Sequence, residues 1–73
     1  MTGYGVVLFH TTSSALRAEK LLIKEGYAVK LIPTPRELSS DCGIALRFNW
    51  NQQQQVRSVL ESAVVEIDSI HSL

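Results

Sequence analysis

Seventy-three residues with 45% hydrophobic and 19% charged side chains make one small globular domain spanning 1–73 and leave no room for a second. A chain this short buries only about 60% of the surface its unfolded form exposes, so any active site is shallow or completed by a partner. Seven Lys and Arg balance seven Asp and Glu with no run of one sign, which argues against nucleic acid or an anionic lipid surface as the partner.

The longest apolar runs, Val6-Val7-Leu8-Phe9 and Leu21-Leu22-Ile23, fall far short of the roughly 20 residues that cross a bilayer. No basic segment followed by an apolar core opens the chain, so a soluble, cytoplasmic protein is expected. The single cysteine cannot form an internal disulfide, which points to a reducing compartment.

Tyr4-Gly5-Val6-Val7-Leu8-Phe9 is apolar and β-branched with no helical period, and predicts a central strand. From Ser14 to Glu25, Ala15, Leu16, Ala18, Leu22 and Ile23 fall on one side of a helical wheel and Arg17, Lys20 and Lys24 on the other, with Thr12 or Ser13 available as the cap. Gly26 supplies the left-handed stop. Ala28 to Pro33 alternates as a second strand. Thr34, Pro35 and Glu37 then have the spacing of a capping box, which predicts one helical turn in the connection to Asp41.

Ile44, Leu46 and Phe48 alternate as a third strand. Gln52 to Gln55 leads into Val56, Val59, Leu60 and Ala63 at helical spacing, so a second helix is expected over about Asn51 to Ser62. Val65 and Ile67, alternating with Glu66 and Asp68, predict a fourth strand, and Ser69 to Leu73 is too short to assign.

The order strand, helix, strand, strand, helix, strand is the α+β ferredoxin-like βαββαβ two-layer sandwich: a four-stranded antiparallel sheet with two helices on one face. Right-handed crossovers place strand three between strands one and two, so that strand one pairs with both three and four. Apolar residues on the sheet face without helices would then meet water, which suits a homodimer through that open face.

The same topology brings the end of strand one, the start of helix one and the loop before strand three to one edge of the sheet. Cys42 and His10 share that edge with the opening amides of the helix at Thr11, Thr12 and Ser13. A helix N-terminus, a protonated His or an Arg stabilises a thiolate over the thiol, and Arg36 stands in the same loop, while Asp41 opposes it. Gly43 leaves the sulfur without a neighbouring side chain to shield it. The polar lead-in Ser39-Ser40-Asp41 predicts an exposed sulfur on an accessible rim. The competing reading is a small buried hydrophobe with no chemistry.

The stretch from Ile32 to Phe48, I-P-T-P-R-E-L-S-S-D-C-G-I-A-L-R-F, with its P-x-P-R-x-x-S-S-x-C-G motif, resembles the selenium/sulfur carrier protein-like family. The opening strand, the T-T-S-S-A-L-R-A-E-K-L-L helix start and the chain length are similar as well. The resemblance implies a carrier, rather than a turnover enzyme, that holds sulfur or selenium on Cys42 as a persulfide or selenosulfide. A cysteine desulfurase or another donor would load it, and an acceptor protein would unload it. Better-understood sulfur relay proteins of similar architecture have a Cys-Pro pair opening helix one, where this chain has His10-Thr11-Thr12.

In this picture His10 shuttles a proton or pairs electrostatically, and Thr11, Thr12, Ser13, Arg36 and Gly43 surround the anion. The alternative from another class is a non-catalytic small-ligand-binding or protein-interaction module on the same fold. No cofactor is implied. Cys42, His10, His71 and Asp41 lack the spacing of a metal site, and Ser39 and Ser40 lack the partners of a hydrolytic triad. Glu19 reads as a boundary side chain of the first helix, Trp50 as packing against the second helix, and His71 as solvated.

Overall fold

The computed structural model describes residues 3–38 and 42–73. β1 (Tyr4–Leu8), α1 (Thr12–Lys24), β2 (Lys30–Pro33), β3 (Ile44–Asn49), a single 3₁₀ turn (Trp50–Gln52), α2 (Gln53–Ser62) and β4 (Ser69–Ser72) follow in chain order. The sheet runs β2-β3-β1-β4 with every neighbouring pair antiparallel, consistent with the ferredoxin-like two-layer sandwich expected from the sequence. Leu8 stands opposite Ala45 on one side and Ser69 on the other, so β1 is the hydrogen-bonded centre.

Because successive strand residues point to opposite faces, β1 feeds two cores. Val7, and Phe9 just beyond the strand, join Leu46 and Phe48 of β3 beneath the helices, where Ala15, Ala18 and Leu22 of α1 and Val56 and Leu60 of α2 close the layer. Val6, Leu8 and Ala45 point the other way and are also fully buried, packed against Ile32 and Leu38. The expected open face is therefore not bare at its apolar centre. Leu38, from the connection after β2, lies over it, which removes the exposed apolar surface on which the homodimer was argued.

Several boundaries differ from expectation. α1 begins at Thr12 and its cap is Thr11, whose hydroxyl accepts the Ser14 N–H at 3.2 Å, rather than Thr12 or Ser13. Leu16 and Ile23 do not join the core and are 45% and 56% exposed. Ala15, Ala18 and Leu22 take up the arc of α1 that meets the sheet, and Leu16 and Ile23 fall on its flank, with Glu19 half-buried near them. β2 starts at Lys30 rather than Ala28.

The connection after β2 turns at Arg36 and Glu37, closed by the Leu38 N–H donating to the Pro35 carbonyl at 3.0 Å, and its described residues form no helix. β4 lies at Ser69–Ser72, not at Val65 to Asp68. Val65 is buried in the helix-side core and Ile67 packs against it, so their alternation reflects a chain crossing from the helix layer to the sheet. Pairing begins where the Asp68 N–H reaches the Leu8 carbonyl at 2.7 Å. His71 is consequently half-buried on β4 with its Nε2 2.8 Å from the Ser69 hydroxyl, rather than solvated.

Two backbone features carry measurable consequences. A Cβ at Gly5 would lie 2.4 Å from the Trp50 ring and 2.8 Å from Phe48, so the missing side chain is the space that these two rings, tilted by 31° with centroids 6.0 Å apart, occupy. Trp50 thus packs over the start of β1. Both helices end in the same double hydrogen-bonded stop. Gly26 N–H donates to Ile23 O and Tyr27 N–H to Leu22 O; Val64 N–H donates to Glu61 O and Val65 N–H to Leu60 O. Gly26 adopts φ +92° and Val64 φ +55°, so α2 places a β-branched residue, 83% exposed, where glycine is favoured.

Gly5→Ala is expected to destabilise the domain by about 1–3 kcal/mol through overpacking. Val64→Gly is expected to raise stability by up to about 1 kcal/mol, relief of left-handed strain outweighing the added freedom of the unfolded chain. Urea unfolding of the two variants beside the parent chain checks both, and opposite signs are the expected result.

Candidate functional site: the cysteine at the opening of helix one

At one edge of the sheet, β1 hands over to α1 and β2 hands over to β3. Register fixes this meeting: Pro33 pairs with Ile44, and Ala45 with Leu8, so the residue two before Ile44 is carried to the start of α1. The Cys42 sulfur lies 3.7 Å from the Thr12 hydroxyl, within sulfur hydrogen-bonding distance. The cysteine thus approaches the N-terminus of α1, as connectivity leads one to expect, and the first-turn amides of a helix present positive potential at such a position.

Thr34 fixes the backbone on the other side. Its hydroxyl donates to the Cys42 carbonyl at 3.0 Å, and its N–H donates to the Gly43 carbonyl at 3.1 Å. The side chain that resembled a helix cap therefore ties the two ends of the connection together, directly at the cysteine. Sequence spacing pointed to Thr34 for a different task. The usable signal was a polar hydroxyl immediately after an edge strand whose partner strand starts beside the cysteine.

The expectation of an accessible sulfur does not hold. Cys42 is 3% exposed and belongs to the helix-side core with Val7, Phe9 and Ala15. A polar lead-in sets the chemistry of the loop surface, but the direction of the side chain follows from the strand that begins at Ile44, and here it turns inward beneath α1. Gly43 is exposed, its φ lies outside the left-handed range, and a Cβ there would meet nothing within 4 Å. The backbone beside the cysteine is thus open to solvent although the thiol is not.

The remaining expected site residues share the edge to different degrees. Thr11 and Thr12 open α1, the first as its cap and the second against the sulfur. Ser13 is exposed on the first turn, His10 is exposed between β1 and α1, and Arg36 is exposed at the turn of the connection. Ser39, Ser40 and Asp41 lie outside the described residues. Among the described residues no three His, Cys, Asp or Glu side chains group as metal ligands would, and no helix is long and apolar enough to cross a membrane.

The family model described as "Putative Se/S carrier protein-like" matches residues 4–72, from the first residue of β1 to the last of β4. The chain belongs to this family. An uncharacterised protein of Methanocaldococcus jannaschii is 31% identical over 62 residues, which cover 85% of this chain. The match takes in 31% of that relative, so the chain spans about a third of its length. No solved structure gives a significant match.

The clamp makes a prediction about access. Thr34→Val removes the hydroxyl donor to the Cys42 carbonyl, costs about 1 kcal/mol of local stability, and should speed thiol labelling of the native protein roughly five-fold. Gly43→Ala should leave stability within about 0.5 kcal/mol of the parent. Timed reaction with a chromogenic disulfide, with and without denaturant, checks the first; urea unfolding checks the second.

Proposed function

We propose that this chain is a carrier that holds sulfur or selenium on Cys42 as a persulfide or selenosulfide and delivers it to a partner protein. The observation that carries the reading is the placement of a family-member chain's one sulfhydryl at the opening of α1, 3.7 Å from the Thr12 hydroxyl. In the loading step the Cys42 thiolate attacks the outer sulfur of a donor persulfide. A new S–S bond forms to Cys42, the donor's S–S bond breaks, and the donor leaves as a thiolate while the terminal atom keeps its proton. A selenium-bearing donor follows the same balance. A cysteine desulfurase is a donor of the required kind, and delivery to an acceptor thiol repeats the exchange in the other direction.

Such chemistry requires a reduced thiol, which the cytoplasm, the location this reading assigns, supplies. The opening amides of α1 at Thr12 and Ser13, with Arg36, stabilise the terminal atom as an anion once His10 on the same rim has taken its proton, and Thr11 holds that first turn in place. Gly43 leaves room for a docked partner beside the cysteine. Burial adds a condition: the sulfur must be uncovered while a partner is engaged, by movement at the α1 opening or of the Thr34-clamped backbone.

That burial is also the observation that favours a second reading, in which Cys42 is a small core residue of a non-catalytic binding or interaction module. Intact-mass analysis after incubation with a persulfide-loaded cysteine desulfurase separates the two. The carrier reading expects one sulfur atom added to the parent chain, removable by a thiol reductant, and none added to Cys42→Ala. An unmodified parent chain, under conditions in which the desulfurase loads another acceptor, would leave the module reading standing.

A further inference from the structure

The face of the sheet away from the helices divides into two halves. Register places Ile32, Ala45, Leu8 and Ser69 in one row across it and Lys30, Arg47, Val6 and His71 in the next, with Asn49 and Tyr4 beyond. Leu38 packs against Leu8 and Ala45 of the first row and Val6 of the second. At the other end a cavity of about 410 Å³ is left, lined by Tyr4, Ala28, Val29, Lys30, Arg47 and Asn49. This is the end of the sheet opposite Cys42.

The charge on this face is one-sided. None of its strand residues is acidic, although the chain as a whole has as many acids as bases. Lys30 and Arg47 are cross-strand partners, and like charges directly opposite one another on a sheet repel. Arg47 is held in place despite that repulsion, its guanidinium 4.4 Å from the centroid of the Tyr4 ring. A guanidinium stacked on a ring keeps its in-plane N–H fork free to donate, and loses little further freedom on binding. Asn49, two residues beyond Arg47 on β3 and paired in register with Tyr4, adds a neutral donor.

We propose that this cavity binds a small oxyanion of the phosphate or phosphomonoester class. The Arg47 fork and the Lys30 ammonium take its oxygens, Asn49 donates beside them and the Tyr4 ring forms the wall. Two opposed cations then share one anion, and the mutual repulsion of Lys30 and Arg47 becomes attraction to the ligand. The cavity volume lies within the range of small-ligand pockets. The inference goes beyond the carrier reading and does not depend on the cysteine.

The test is amide chemical-shift titration of the full chain with inorganic phosphate and, separately, glycerol phosphate, at ionic strength held constant with chloride. Saturable shifts at Tyr4, Lys30, Arg47 and Asn49, with a dissociation constant in the millimolar range or tighter, are expected. Arg47→Gln and Lys30→Gln should each weaken binding about tenfold, and Cys42→Ala should leave it unchanged. Linear shifts shared with Lys20 and Lys24 on α1, or shifts unaffected by either Gln variant, would overturn the site. Tighter binding of a short single-stranded oligonucleotide that spreads over the whole face would reassign it to a nucleic-acid backbone and overturn the small-ligand assignment. Phosphate binding by a parent chain that takes up no sulfur from a loaded desulfurase would sink the carrier reading and leave this site standing, and sulfur uptake without phosphate binding would do the reverse.

Discussion

The arrangement depends on β1 being paired on both edges and buried on both faces. With β3 on one side and β4 on the other, a five-residue strand must supply two cores, and Val6, Val7 and Leu8 do so with essentially no exposed surface. That double burial admits few alternatives. A slip of one residue would exchange the set facing the helices for the set facing Leu38, placing Val6 where Val7 now meets α1 and disrupting both layers together. Once β1 is fixed, the starts of α1 and β3 and the end of β2 must share an edge, and the cysteine is carried there by connectivity.

The chemistry of that edge rests on a tension between packing and reactivity. The sulfur sits where a helix start supports an anion, and also where Val7, Phe9 and Ala15 keep water away. A thiol in such a position is protected from adventitious oxidation until something displaces its cover. Thr34 is central to this balance because it holds the backbone of the cysteine rather than its side chain.

Much of the architecture was legible because its signals are local. The unbroken apolar run of β1, the alternation of β3 and the glycine after α1 each specify an element without reference to the rest of the chain. The failures arise where a local pattern has two physical origins. Val65 and Ile67 alternate because both reach the helix-side core on the way to β4, and a strand would show the same alternation. Thr34 has the spacing of a cap, yet its hydroxyl finds a carbonyl eight residues away. The inward turn of Cys42 was hidden for a related reason, since a polar approach along the chain carries no information about the direction of the next side chain. The cationic pair was invisible for lack of register: Lys30 and Arg47 are far apart in sequence and align only through the pairing of β2 with β3.

The two outer strands have a consequence for how this domain meets other molecules. β2 and β4 are each four residues long, and β2 ends in a proline, which has no N–H to offer. Neither border therefore presents much of a template for an incoming extended peptide, and lengthwise growth of the sheet into a neighbour is discouraged. Recognition is left to side chains on the helix flank, the rim around α1 and the uncovered half of the sheet. Such contacts form and release more readily than a shared ladder, which favours brief encounters over permanent assembly.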